Sequence, residues 1–556
     1  MSTIESEDWF GAFRETINGT SENWIPFDSY LWGTTDSITA RNSTPFVDLF
    51  MQKVTSCPIS IQESGLLVGF THEPYLEKAM DCLATLNGMA LFPEEFSAGQ
   101  YLDSINSLIE QLTVDHQQLL LEDPITHQIL LGEIPLTAGL RFPGLVESKQ
   151  CMDAARINLA SAIKEILDGD GLPSAKYLEQ SKLLMACWTR CLLLCDLAGK
   201  ECLDVDAQVQ LELFFRQMIR LMRKDGTLVF SNDKNHMREL IQVAIGCCQD
   251  EDDINIAAAV FPRKKNGKTT KPILSSLPEP SVNSEWGEIA VLQTGWLPKL
   301  PKLTVSYRQR KLIAELSSGD VLLSGEIKNE FSFDNQNVSQ SADWEVVCWH
   351  SDPDGDFLEL ECQLENGTKW QKHFLLARED RFLLVGDVLL ETNAGTIDYS
   401  SRWPLFRETG FGAAKETNEM FLTRKAKTVA GVLPIALPEW RVERHGSSMM
   451  VSDSQLNYQA RTEGRNLYFP YFIDLNPRRC RKPLTWRQLT VADQRDVLPS
   501  SKAAAFRVHV GNQQWLIYRS LDKTASRTAF GQNLAVEFYV GTFEPDGTCQ
   551  EIISVG

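Results

Sequence analysis

Three cysteines lie four residues apart in an apolar stretch near the middle of the first half of the chain. Cys187, Cys191 and Cys195 fall at i, i+4 and i+8, so a helix would place their thiols on one face. Thiolates can bind zinc, but a tetrahedral site needs further Cys, His or acidic ligands that close around the ion. The neighbouring residues are instead Leu, Met and Trp188. This pattern favours buried, small apolar side chains over a metal site, and the eight His residues show no metal-ligand spacing.

Two other polar clusters could bind ions. Residues 352–356, DPDGD, begin like a calcium-binding loop, but Gln363 stands where such a loop needs its glutamate, so a β-turn is favoured. Residues 478–487 contain five Arg or Lys residues and could hold a carboxylate or a sulfate. In an acidic chain, a solvated loop that pairs with acidic neighbours is the favoured interpretation. The motifs of nucleotide-binding proteins, zinc proteases and serine hydrolases of the G-x-S-x-G type are absent from the sequence.

The first half of the chain has a helical apolar period. Within Gln208–Gly226, for example, Leu211, Phe214, Phe215 and Met218 share one face, and Asp225-Gly226 is a suitable end for the helix. Further helices are predicted at the following ranges: 77–88, 101–121, 155–167, 182–198 and 234–246. We therefore expect residues 1–261 to form an all-α domain.

The pattern changes after residue 261. Residues 262–284 contain four Pro and several basic residues and are predicted to be a linker. From residue 285 onward, short runs with a period of two alternate with turn signals such as DPDG and ENG. We expect residues 285–556 to form an antiparallel β-sandwich, which makes the chain a multidomain protein with separate α and β halves.

Charge and composition restrict the partners. The net charge is −20 and the pI about 5.0, which argues against non-specific nucleic-acid binding. The N-terminal residues are acidic and lack the apolar core of a secretory signal, and no long apolar run indicates a membrane span. The thirteen cysteines are scattered and odd in number. We therefore expect reduced thiols, a cytoplasmic location and no cofactor. The sequence leaves the oligomeric state open.

Three segments carry a resemblance to a known family. They are DGDGLPSAKYLEQSKLLMACWTRCLLL (168–194), FFRQMIRLMRKDGTLVFSND (214–233) and WQKHFLLAREDRFLLVGDVL (370–389). With the order of a helical half before a strand half, they resemble the heparinase II/III-like proteins. This resemblance implies an incomplete (α/α) toroid followed by an antiparallel β-sandwich. It also implies a polysaccharide lyase that acts by β-elimination on an acidic, uronic-acid-containing glycan, in a cleft between the two halves.

The chain departs from this family at two positions. Family lyases commonly place a Tyr-His pair at the start of the helix after the first D-G loop, but Tyr177 is followed by Leu178. They also commonly carry a His early in the strand domain, and residues 300–319 contain none. A non-catalytic relative that serves as a glycan-binding or scaffold protein is therefore the alternative function. A glycoside hydrolase that uses two carboxylates also remains open.

The chemistry of β-elimination selects the candidate residues. A cation or amide must neutralise the C6 carboxylate, a base must remove the C5 proton, and an acid must protonate the leaving oxygen. The candidates for these roles are Tyr177, Tyr307, Arg308, Tyr399 and Arg402.

A tyrosine that acts as a base needs a nearby cation to stabilise its phenolate. Strand alternation would point Tyr307 and Arg308 to opposite faces. The Ser-rich segment DYSSRW is predicted to be a loop, in which Arg402 could approach Tyr399 and Trp403 could stack on a sugar. Tyr399 with Arg402 is therefore the favoured catalytic pair.

Overall fold

The structure is a computed structural model that describes most of the chain beyond residue 116. The described residues are 117–141, 148–231, 236–248, 250–261, 277–390, 395–443, 445–494, 496–544 and 546–556, with Leu76, Ala79, Leu83, Leu86 and the backbone of 264–265 and 268–269. The chain divides into two compact units, Met1–Thr270 and Lys271–Gly556. Each unit is described by itself.

The described part of the first unit is helical, apart from one short pair of strands near its end. Its helices are α1 Gln117–Glu122, α2 Pro124–His127, a π-helical segment Gln128–Glu133, α3 Ile134–Arg141, α4 Ser148–Ile166, a 3-10 turn Ala175–Gln180, α5 Ser181–Leu197, α6 Val205–Arg220, α7 Arg238–Gly246 and α8 Glu251–Val260. Leu76, Ala79, Leu83 and Leu86 are also helical, and most of the predicted helix 101–121 lies outside the described residues. No helix among the described residues is long and apolar enough to cross a membrane.

Helix α6 ends earlier than its apolar period predicts. It ends at Arg220, and Leu221 is its C-cap. The Arg223 N–H then donates to the Thr227 carbonyl, and the Asp225 carboxylate accepts from the Thr227 N–H and hydroxyl at 3.0 and 2.7 Å. Gly226 has a φ of 92° at the tip of this turn. The prediction of a helix up to Gly226 is therefore wrong, because Asp225 and Gly226 form a separate turn.

The second unit is built from antiparallel sheets, apart from short 3-10 turns. Strands β1 Lys264–Lys265 and β2 Lys268–Thr269 of the first unit pair with each other. The first sheet of the second unit contains β3 Val282–Ser284, β4 Ile289–Gln293, β5 Pro301–Ser306, β6 Ile313–Ser318 and β7 Asp320–Glu326. Because β3 pairs with β4, strand structure begins inside the range 262–284 that was predicted to be a linker.

The remaining strands form four further sheets. The strands of the eight-stranded sheet and its five-stranded neighbour are β8 Lys328–Phe333, β9 Gln336–Val338, β10 Glu345–Ser351, β11 Gly355–Gln363, β12 Lys369–Ala377, β13 Phe382–Leu390, β14 Gly395–Pro404, β15 Thr409–Ala413, β16 Met420–Arg424, β17 Lys427–Leu433, β18 Ser448–Ser452, β19 Gln455–Gly464 and β20 Leu467–Asp474. The last two sheets contain β21 Leu484–Leu489, β22 Val491–Asp493, β23 Asp496–Val497, β24 Ala503–Val510, β25 Gln513–Ser520, β26 Arg527–Ala529, β27 Gln532–Leu534, β28 Phe538–Phe543 and β29 Cys549–Val555.

The central strands of the eight-stranded sheet are buried on both faces. Its order is β10-β11-β12-β13-β20-β17-β16-β15. One face contributes Phe374 and Val385 to a core shared with β4 to β8, β14 and β19. The other contributes Leu375 and Leu384 to a core shared with β24, β25 and β28. Successive side chains of a strand point to opposite faces of the sheet. Because both faces are buried here, the central strands have nearly continuous apolar sequences.

Candidate functional site

The loop before Tyr177 is held on helix α6. The carboxylate of Asp168 accepts hydrogen bonds from the backbone N–H groups of Asp170 and Leu172, at 3.0 and 2.7 Å. Gly171 has a φ of 76°, and a Cβ there would lie 2.4 Å from the backbone nitrogen of Phe214. Only glycine fits this close approach. The D-G loop is thereby fixed against α6, and it determines where the next turn begins.

That next turn presents Tyr177 beside a cation. Ser174 caps the 3-10 turn Ala175–Gln180, and the Tyr177 hydroxyl donates to the Leu121 carbonyl at 3.2 Å. The Lys176 ammonium lies 3.2 Å from the Tyr177 oxygen and 4.8 Å from its ring centroid. The Tyr177 ring is buried, whereas Lys176 is exposed. The Tyr177 hydroxyl therefore lies within hydrogen-bonding distance of an ammonium group.

The surrounding helices contribute further buried polar groups. The Gln128 side-chain oxygen accepts from the Trp188 indole at 2.8 Å, and its nitrogen lies 3.1 Å from His127 Nδ1. Arg190 binds both carboxylate oxygens of Glu133, at 2.6 and 2.7 Å, and both side chains are buried. These contacts tie the π-helical segment to α5. Single-turn π segments are frequent at functional sites. Helix α2, which directly precedes this π-helical segment, packs against the turn that carries Tyr177.

The second unit contains its own cavity, of about 840 Å³, formed mainly by β8, β9, β14 and β19. Its described lining includes aromatic side chains, amides and hydroxyls, together with three basic and three acidic residues. They include Trp344, Trp370, Tyr399, Asn329, Gln340, Gln459, Arg310, Lys328, Arg461, Glu326, Glu330 and Asp398. Aromatic faces with amides and hydroxyls suit the binding of sugar rings.

A buried carboxylate lies beneath this cavity. Asp387 accepts hydrogen bonds from the Lys372 ammonium at 2.8 Å, from the Trp370 indole at 2.9 Å and from the Tyr399 hydroxyl. The hairpin register of β12 and β13 pairs Lys372 directly with Asp387, and neither side chain is exposed to solvent. Both carboxylate oxygens therefore have partners, and one of those partners is the candidate Tyr399.

The environment of Tyr399 keeps its hydroxyl protonated. Burial, followed by the negative charge of Asp387, raises the pKa of Tyr399 well above its usual value. A phenolate next to a carboxylate is electrostatically disfavoured. Tyr399 can therefore donate a hydrogen bond, but the predicted role as a base that is activated by a neighbouring cation does not fit this geometry.

The predicted loop at residues 398–403 is strand β14. It pairs with β8 and β19, so Tyr399 and Arg402 point to opposite faces. Arg402 forms an ion pair with Glu330. Trp403 is buried, and its indole donates to the Ala314 carbonyl at 3.2 Å. The prediction of a loop that brings Tyr399 and Arg402 together and exposes Trp403 is therefore wrong.

Tyr307 and Arg308 have separate surroundings. The Tyr307 hydroxyl donates to the Ser284 carbonyl at 3.0 Å. Burial, with Glu285 and Glu288, raises the pKa of Tyr307. Arg308 lies 3.7 Å from the Glu288 carboxylate. The structure does not bring these two residues together with Tyr399, because neither lines the cavity of the second unit.

The remaining polar clusters have structural partners. Asp352 accepts from the backbone N–H groups of Asp354 and Gly355, which is the geometry of the predicted turn. Arg479, in the basic segment, forms an ion pair with Asp474 at 2.8 Å. It pairs with an acidic neighbour as predicted, but it is buried and not solvated. The three cysteines on one face of α5, Cys187, Cys191 and Cys195, are buried, as their apolar neighbours predict.

Sequence reasoning did not identify Lys176, Lys372, Asp387 or Asn329. One pair could have been found from the sequence, because a hairpin turn is indicated at Arg378–Arg381. Counting residues outward from that turn along both strands aligns Lys372 with Asp387. The same counting places Trp370 on the face of Lys372. No comparable local signal connects Asn329 to β14, because that contact depends on pairing between distant strands.

Comparisons with known proteins show which fold this is. No protein-family model matches the chain, and no curated protein matches it. Among solved structures, a heparinase III gene product is 11% identical with a TM-score of 0.59, covering 87% of this chain and 82% of that chain. The heparan sulfate lyase HepC mutant from Pedobacter heparinus is 13% identical with a TM-score of 0.55, covering 83% and 77%. The chain therefore shares the fold of the heparinase III structures, as the resemblance implied.

Proposed function

We propose that this protein is a polysaccharide lyase that cleaves an acidic, uronic-acid-containing glycan by β-elimination. The observation that carries the proposal is the Tyr177 hydroxyl beside the Lys176 ammonium. The resemblance expects a Tyr-His pair at this position, and this chain has the tyrosine of that pair, followed by Leu178. The fold shared with a heparan sulfate lyase supports it. We further propose the finer architecture implied by the resemblance, an incomplete (α/α) toroid and a β-sandwich.

The proposed reaction assigns a role to each group. The Tyr177 phenolate takes the C5 proton, and the electron pair left on C5 forms the C4–C5 double bond. The bond from C4 to the glycosidic oxygen breaks, and that oxygen receives the proton that Tyr177 has taken from C5. The Lys176 ammonium stabilises the phenolate or the C6 carboxylate. The position of the substrate cleft between the two halves stays a prediction.

The test is turnover on a panel of uronate-containing glycans, followed through the ultraviolet absorbance of the unsaturated product. We expect Tyr177→Phe to lose about 10²–10⁴-fold in rate. The matched control is Tyr307→Phe, because the Tyr307 hydroxyl is also buried and bonded to a carbonyl but has no adjacent ammonium among the contacts described. Absence of product across the panel would reject the lyase assignment. Equal losses in both variants would reject Tyr177 as the proton-transfer residue.

A non-catalytic glycan-binding protein is the second candidate. It is favoured by the cavity of the second unit, where Tyr399 is committed to Asp387 and the described charged lining is balanced. This function predicts oligosaccharide binding by calorimetry without product formation. Asn329→Ala should weaken binding several-fold, since its amide is on the cavity wall. Saccharide binding that is unchanged by this substitution would place the binding site elsewhere.

We propose a cytoplasmic location and an acidic polysaccharide or oligosaccharide as the partner. The scattered, odd number of cysteines supports a reducing compartment. A thiol titration of protein purified without reductant tests this proposal. Thirteen reactive thiols after unfolding would support it, and formation of stable disulfides in the functional protein would contradict it.

A further inference from the structure

The first unit contains a second cavity, of about 640 Å³, that the lyase proposal does not use. Helix α4 contributes Lys149, Met152, Asp153 and Arg156 to its wall. Their i, i+3, i+4, i+7 spacing is that of one helix face, which in a packed helix is normally apolar. Here three of the four residues are charged. The last turns of α3 and α5 provide the other walls.

The described lining of this cavity is positively charged. The basic residues are Arg141, Lys149, Arg156 and Lys200, and the acidic ones are Asp153 and Glu201. An excess of two positive charges is notable in a chain with a net charge of −20. The Arg156–Glu201 ion pair is long, at 3.5 Å, and the Glu201 side chain is 90% exposed. Such a pair neutralises Arg156 weakly, so the wall favours an anion.

Arg141 lies on the buried side of this wall. It is the last residue of α3 and is 4% exposed. Burial lowers the pKa of Arg141 to about 10, because removing the guanidinium from water disfavours its charge. The rest of the wall is apolar, with Leu136, Leu140, Met152 and Leu194.

We propose that this cavity binds an organic anion, a phosphate or sulfate monoester on an apolar body. The basic side chains would hold the ester group, and the leucine side chains would pack against the body. The volume lies within the range of small-molecule sites, about 300–1,000 Å³. Leu194 lies roughly 20 Å along α5 from its first residue, Ser181, at a rise of about 1.5 Å per residue, and Tyr177 is in the turn before Ser181. The site is therefore separate from the proposed catalytic tyrosine.

Calorimetric titration of the full chain tests the proposal with three probes. Phenyl phosphate and phenyl sulfate carry both parts of the ligand, and phenol carries only the apolar body. We expect at least one ester to bind more than about 10-fold tighter than phenol, since hydrogen bonds to charged groups are strong. Which ester binds tighter identifies the anion. Phenol binding as tightly as both esters, or no binding of either ester at millimolar concentration, would overturn the proposal.

Surface variants keep the test independent of folding. Arg156→Met changes a half-buried wall residue and Lys149→Met an exposed one, and each should weaken ester binding about 5-fold or more. The matched control is Lys164→Met, on the same helix but outside the cavity, where Lys164 pairs with Asp204. The control should change binding less than about 2-fold. Equal weakening by the control would show only a long-range effect of net charge and would reject this site. Neither result depends on lyase activity.

Discussion

Replacing Lys372 with Met should strongly destabilise the strand unit. Lys372 and Asp387 are both 0% exposed, and their charged atoms are 2.8 Å apart. The substitution keeps the length of the side chain but leaves the Asp387 carboxylate with only the Trp370 and Tyr399 donors. Breaking a buried pair by removing one partner costs about 3–5 kcal/mol. With an m-value of about 2–3 kcal/mol/M, the urea midpoint should fall by about 1–2.5 M.

The control for this prediction is an exposed pair in the same unit. Arg310 and Asp343 lie 3.2 Å apart, but their side chains are 54% and 67% exposed. Arg310→Met should therefore cost about 0–1 kcal/mol. The double variant Lys372→Met with Asp387→Leu should recover part of the lost stability, because no buried charge remains, although the Trp370 indole and the Tyr399 hydroxyl lose this acceptor. If Lys372→Met shifts the urea transition no further than Arg310→Met does, the buried pair does not stabilise the fold as argued.

Three further changes have defined outcomes. Burial, with the positive charge of Arg519, holds the pKa of His373 well below its usual range. Below pH ~6.5 the unfolded chain therefore binds a proton that the folded protein does not. The free energy of unfolding should fall there by up to about 1.4 kcal/mol per pH unit, and this effect should be absent above pH ~6.5. His373→Gln should remove that component from the pH dependence of urea unfolding, and an identical profile would contradict it. Arg190→Met leaves Glu133 buried without its bidentate partner. It should lower the free energy of unfolding, measured by thermal denaturation, by about 3–5 kcal/mol. A loss below about 1 kcal/mol would show that the carboxylate finds another partner. Gly171→Ala places a Cβ against the backbone of α6 at positive φ and should cost at least about 2 kcal/mol in urea unfolding, and a neutral effect would mean that the loop relaxes.

The sequence predicted elements well where one local period decides them. The apolar stripe predicted a helix at 182–198, and α5 spans Ser181–Leu197. The hairpin pattern of 370–389 corresponds to β12 and β13. In both cases the side chains that repeat along the element also form the buried face, so local pattern and tertiary packing agree.

The sequence misled where packing between distant segments decides. DYSSRW has the composition of a loop, yet β8 and β19 pair with it on both sides and impose a strand. Strand propensity is a weak property of the segment itself and depends on such neighbours. Because the segment is a strand, the predicted Tyr399–Arg402 pair does not form, since residues three apart on a strand face opposite sides of the sheet. The site residues therefore depended on a secondary-structure assignment that composition alone could not supply.

A tyrosine that acts as a base needs a cation beside it. With the backbone known, this requirement selects Tyr177 in place of Tyr399. Tyr399 donates its hydroxyl to a carboxylate, which opposes ionisation, and its nearest basic neighbour in sequence faces away. Tyr177 lies in a 3-10 turn instead of a strand, so the adjacent Lys176 can fold back over its ring. Of the three tyrosine candidates, Tyr177 is the one whose hydroxyl lies within hydrogen-bonding distance of an ammonium group among the described contacts. Lys176→Met should therefore reduce turnover while retaining the Tyr177 hydroxyl, and a more alkaline optimum in its pH–rate profile would show that the cation acts on proton transfer. A reduced rate with an unchanged profile would instead assign Lys176 to substrate binding.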